Sequence, residues 1–167
     1  VNKGETDAYI TKLNILTSEV VFTTFIGGEY YDDAYEIGID KDENITIAGW
    51  TTSAEIKKKN AIQNSIGDKI SGNTYSGDVF VSRFSNDGSV LVYSTFLGGY
   101  KKEDLFDAAF DKEGNIYISG YTEGYLDSGK EKFITEYPVY PESYLEKINQ
   151  WYNADFVTKF DKNGTLQ

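Results

Sequence analysis

The heptapeptide DAYITKL at Asp7–Leu13 returns 71 positions later as DVFVSRF at Asp78–Phe84. The same offset carries VFTTFIGG (Val21–Gly28) onto VYSTFLGG (Val92–Gly99) and IDKDENITIAGWT (Ile39–Thr51) onto FDKEGNIYISGYT (Phe110–Thr122). A register held without a gap from Asp7 to Thr51 constrains the fold before any local propensity is weighed: each copy is one supersecondary unit, and such units stack because none buries its apolar surface alone. A third copy of the first motif, ADFVTKFDKNGT (Ala154–Thr165), matches the stretch from Asp78 at an offset of 76. There Ala154 replaces the leading Asp, and Asp155 sits one place later.

Within a copy the apolar residues alternate with period two and are largely β-branched or aromatic, the pattern of half-buried strands. Four strands are expected in the complete unit, over Ala34–Ile39, Ile45–Trp50, Val79–Phe84 and Leu91–Phe96. Asp40–Asn44 and Asp111–Asn115 supply the Asp, Asn and Gly of tight hairpin turns, as do Ser85–Ser89 and Asp161–Thr165. Each unit therefore reads as a four-stranded antiparallel meander. Long loops at 54–77 and 125–153 both fall between second and third strands, and loops so placed are where binding commonly resides. The run Glu142–Trp151 has the composition of a helical turn or two.

Tandem four-stranded meanders with a Gly-Gly exit are the mark of propeller blades. FTTFIGG and YSTFLGG, followed by IDKDENITIAGWT or FDKEGNIYISGYT and then GDVFVSRF, resemble the bacterial β-propeller repeat called SBBP. YPVYPESY (Tyr137–Tyr144) and NAIQNS (Asn60–Ser65) are similar to that family's linker, whereas Glu43 stands where the family has a turn glycine. The resemblance implies an all-β fold in a closed ring of blades, on exported or cell-surface proteins, with no common reaction or ligand. On this reading residues 1–28 are the last two strands of one blade, 29–99 a complete blade, and 100–167 the first three strands of the next. About two and a quarter blades cannot close a ring, which takes four to eight. The expectation is a piece of a longer chain, or a chain that assembles with further copies.

Composition narrows the function from the other side. Cys 0, His 0 and Met 0 remove thiol, imidazole and most transition-metal chemistry. With 27 acidic against 16 basic residues the formal charge is -11, so the phosphate-neutralising surface that nucleic acid requires is missing. No stretch approaches the roughly 18 apolar residues of a membrane-spanning helix.

Candidate sites are few. Asp40, Asp42 and Asn44 have the spacing of three oxygen ligands for Ca²⁺, but the glycine and the final glutamate of a calcium loop are missing, and hairpin chemistry accounts for the same residues. Asp33 and Asp104 recur at one place, which suits a backbone hydrogen bond pinning the start of each unit; the functional alternative is a carboxylate ring holding a cation. Tyr125, Tyr137, Tyr140, Tyr144, Trp151 and Tyr152 crowd the second long loop and would stack on sugars or anchor a protein. The expectation is a non-catalytic structural or binding scaffold without a cofactor, engaging a protein or glycan partner. Its alternatives are a calcium-stabilised carbohydrate-binding adhesin and a polysaccharide-cleaving enzyme. Phe25, Phe96, Ile47 and Ile118 are expected to be buried between stacked units.

Overall fold

A computed structural model describes residues 4–67, 69–71, 74–99, 101–123 and 153–167. The described residues are all-β, with eleven strands and no helix. β1 (Ala8–Asn14) and β2 (Glu19–Ile26) form a hairpin. The middle sheet is the expected meander, β3 (Asp32–Ile39), β4 (Ile45–Thr51), β7 (Asp78–Phe84) and β8 (Leu91–Leu97), hydrogen-bonded in the order β3-β4-β7-β8. β9 (Glu103–Phe110), β10 (Ile116–Glu123) and β11 (Asn153–Phe160) make the third sheet, in the order β11-β10-β9. All these pairings are antiparallel. A small hairpin, β5 (Lys69–Ser71) and β6 (Thr74–Tyr75), lies inside the first long loop, where periodicity gave no sign of it. The expected helical turn at Glu142–Trp151 lies outside the described residues.

The three sheets stack face to face on two apolar layers. Ala8, Ile10 and Ile26 of the hairpin meet Ile45, Ile47, Phe80, Phe84 and Phe96 of the middle sheet. On its other face Ala48, Val79, Val81, Tyr93 and Leu97 meet Leu105, Ile116, Ile118 and Phe160. Sandwiched between the two layers, all seven residues of β7 are buried. Alternation along a strand thus carries apolar residues on both faces, as a sheet covered on both sides demands.

The expectation for Phe96, Ile47 and Ile118 holds, with exposures of 0%, 1% and 0%, but Phe25 is 46% exposed. The register is not at fault, because its neighbour Ile26 is buried. Phe25 occupies the opposite face of the hairpin, which no described sheet covers, and there it meets only Tyr9, with ring centroids 6.3 Å apart. The third sheet has the mirror situation. Val157, 81% exposed, stands 76 positions after Val81, which is fully buried.

Close packing between sheets is set at single residues. Gly38 on β3 lies directly under the Phe110 ring of β9, so that a Cβ there would fall within the ring. Gly38→Ala is expected to cost about 1–3 kcal/mol by overpacking, seen as a lowered urea midpoint at unchanged slope. An unchanged midpoint would show that β3 and β9 do not pack at this distance.

Candidate functional site

The hairpin turns hold no open coordination shell. Asp40 Oδ1 accepts from the backbone N–H of Asp42 at 2.9 Å and of Asn44 at 2.8 Å, and its Oδ2 accepts from Asn44 Nδ2 at 3.1 Å and from Arg83. Burial alone would raise the Asp40 pKa, but the Asn44 N–H groups and the Arg83 guanidinium outweigh it and hold the carboxyl below its usual range. The candidate ligands Asp40, Asp42 and Asn44 are therefore brought together as an Asx-type turn whose charge is met by an arginine. The other two turns repeat the geometry: Asp111 N and Asp161 N donate to Asn115 O and Thr165 O at 3.1 and 2.9 Å. Glu43 keeps the same turn without glycine by adopting φ 62°.

Arg83 also reaches across to the next sheet. Its Nη1 donates to Thr46 Oγ1 at 2.8 Å and to the carbonyl of Gly114 at 3.3 Å, in the β9–β10 turn. The backbone N–H of Lys41 donates to Lys112 O at 3.1 Å, joining the two turns directly. One unit earlier Lys12 stands in the place of Arg83, and its ammonium pairs with Glu43 at 2.8 Å.

The other end of the sheets carries buried acids. Asp32 Oδ2 accepts from Gly28 N at 2.8 Å and Ser53 Oγ at 2.8 Å, and its Oδ1 accepts from Thr51 Oγ1 at 2.5 Å. Its sister Glu103 accepts from Gly99 N at 2.9 Å and Thr122 Oγ1 at 2.5 Å. These bonds tie the Gly-Gly exit of one unit to the first two strands of the next. The pin expected at Asp33 and Asp104 thus sits one residue earlier: Asp104 instead pairs with Lys102 at 3.1 Å on the outer face. The signal was weak in sequence because the pinning position is Asp in one copy and Glu in the other, whereas its neighbour is Asp in both.

Each pin lies beside a second acid from the preceding unit, Asp7 beside Asp32 and Asp78 beside Glu103. Asp78 and Glu103 are fully buried and hydrogen-bonded to each other. Burial, reinforced by the Glu103 charge, pushes Asp78 well above the usual carboxylate range. Burial raises Glu103 to about 7 against the bonds from Thr122 and Gly99. A pair so placed retains a proton near neutrality, and its setting is that of a structural staple closed to solvent. Asp155, one place after Ala154, does not restore the acid, because alternation turns it to the outer face.

The first long loop does not hang free over its described stretch. Ile56, Gln63 and Ile66 are buried, and Lys59 exchanges backbone hydrogen bonds of 3.2 and 2.8 Å with Ser94, so the loop shields the β8 edge. Tyr125, Tyr137, Tyr140, Tyr144, Trp151 and Tyr152 all lie outside the described residues. Among the described residues no group of three or more acidic side chains is arranged to hold a metal ion, and no helix is long and apolar enough to cross a membrane. A scan of the chain against family models finds no match, and a comparison with curated proteins finds none either.

Proposed function

We propose that the chain is a non-catalytic structural or binding scaffold, about two and a quarter blades of an SBBP-type β-propeller on an exported or cell-surface protein. One observation carries the reading: the same set of contacts joins the first sheet to the second and the second to the third. Asp32 N donates to Thr6 O at 3.0 Å, and 71 positions later Glu103 N donates to Gly77 O at 3.0 Å. Phe22 of β2 lies under Gly88 of the next turn, and Tyr93 of β8 lies under Gly164, each so close that a Cβ on the glycine would come within 2.6 Å of the ring. A cation on the third strand reaches the next turn at both interfaces, from Lys12 and from Arg83.

A contact set that repeats without change propagates, which is how blades follow one another around a ring. The residues that begin it again are in place: Lys159 is the third such cation, and Val157, Phe106 and Tyr117 stand 81%, 60% and 39% exposed on a face whose sister is covered. Further blades of the same chain, or further copies of it, are the partners these faces suit. Beyond the sheets, the long loops engage a protein or glycan partner and carry no reaction.

Sedimentation tests the stacking. The 167-residue chain alone is expected to self-associate as its concentration rises, and Val157→Asp to weaken that association because a charge must then be buried. A chain that stays monomeric at high concentration, with or without the substitution, would sink the reading.

A further inference from the structure

Gln63 is held in a socket built by the outer strand of its own sheet. Its backbone N–H donates to Thr95 Oγ1 at 3.1 Å, and its backbone carbonyl accepts from Phe96 N at 3.4 Å. Its side-chain Oε1 accepts from Gly98 N at 2.9 Å while its Nε2 donates to Asp78 Oδ2 at 3.2 Å. The flanking chain runs antiparallel along β8 through the Lys59–Ser94 pair, and the Lys58 ammonium lies 5.1 Å from the centre of the Phe96 ring. Thus a segment of the loop is added to the sheet edge as an extra strand, with one amide reading the end of it.

Carried back 71 positions, Thr95, Phe96, Gly98 and Asp78 become Thr24, Phe25, Gly27 and Asp7. All four line one cleft of about 370 Å³ along the outer edge of β2, bounded across from them by Glu55, Lys57, Phe84 and Leu91. Among the described residues β2 is hydrogen-bonded only to β1, and Phe25 is exposed where Phe96 is fully covered. The cleft therefore reproduces the Gln63 socket without the strand that fills its sister.

We propose that this cleft is a peptide-binding site, and that its ligand is an extended, glutamine-bearing segment with the chemistry of Asn60–Gly67, added antiparallel to the edge of β2. Edge addition draws affinity from main-chain hydrogen bonds and specificity from the side chains that reach pockets. Glutamine is selected because the site asks for an acceptor facing Gly27 N and a donor facing the Asp7 carboxylate, and a primary amide offers both. Glutamate would set a second negative charge against Asp7. The inference stands on the internal repeat and the cleft, whether or not the sheets belong to a closed ring.

The test is a fluorescence-anisotropy titration of a fluorescein-labelled peptide, Asn-Ala-Ile-Gln-Asn-Ser-Ile-Gly, with the full chain. Saturable binding is expected with Kd between about 10 μM and 1 mM. Peptides in which Gln is replaced by Ala or by Glu should bind at least about tenfold more weakly, since either change leaves buried polar groups unmet. A Thr24→Val chain, shown folded by its circular dichroism, should also bind more weakly. No binding up to about 5 mM peptide, equal affinity for the three peptides, or equal affinity for a scrambled peptide would overturn the proposal.

Discussion

An Arg83→Ala chain is expected to lose about 3–5 kcal/mol of stability, measured by urea denaturation at neutral pH. Arg83 and Asp40 have side-chain exposures of 4% and 2%, so truncation leaves a carboxylate in a place that water does not reach. It also deprives the Gly114 carbonyl and the Thr46 hydroxyl of a donor, and so weakens the seam between the second and third sheets. The sister substitution Lys12→Ala supplies the control. Lys12 and Glu43 are paired at the surface, with side-chain exposures of 31% and 68%, and water replaces either partner readily. Little or no movement of the midpoint is expected there. The double change Arg83→Met with Asp40→Asn should be less costly than the sum of its parts, because each removes the charge that the other leaves stranded. A loss below about 1 kcal/mol for Arg83→Ala would mean that the pair is solvated and that the sheets do not meet at Gly114.

The strands were legible because two signals agreed. Period-two alternation placed Ile45–Trp50 and Val79–Phe84 to within one residue of β4 and β7, and an Asp-led turn separated the first strand of each unit from the second. Sequence reasoning handled contacts between sheets less well. Phe25 and Phe96 are the same residue in the same motif, and only the presence or absence of a facing sheet makes one exposed and the other buried. That difference is not encoded near either of them. The pin was missed for a related reason: identity across copies drew the eye to Asp33 and Asp104, whereas the function at Asp32 and Glu103 needs only a carboxylate, on a side chain of either length. Gln63 gave no signal at all. Its segment has no aligned copy at the 71-residue offset, and its meaning comes from the residues of β8 that it touches, which do recur. Nor did Arg83 stand out in a strand of the expected polarity, until geometry placed it between an Asp from its own sheet and a carbonyl from the next.

Stability should fall as pH rises from about 5 to about 8, the reverse of the trend that most paired carboxylates impose. The cause is the Asp78–Glu103 pair. With Glu103 raised to about 7 and Asp78 raised in the same direction, the native chain holds protons that the unfolded chain has already released above its ordinary carboxylate pKa. Whenever the folded state binds more protons, raising the pH favours unfolding, and for Glu103 alone the loss accumulates to about 3 kcal/mol by the time its folded pKa is passed. Asp40, Asp111 and Asp161 act oppositely. Their pKa values are lowered, so their contribution is present above the ordinary carboxylate range and is lost as the pH drops through it. The two groups together predict maximal stability near pH 5, with a decline on either side. Glu103→Gln provides the discriminating variant, since an amide keeps an acceptor for Gly99 N and cannot ionise. Its urea midpoint should change little between pH 5 and pH 8 and should exceed that of the unsubstituted chain at pH 8. An unsubstituted chain equally stable at both pH values, or more stable at pH 8, would show that the two acids are not buried against each other, and with that the staple between the second and third sheets would be lost.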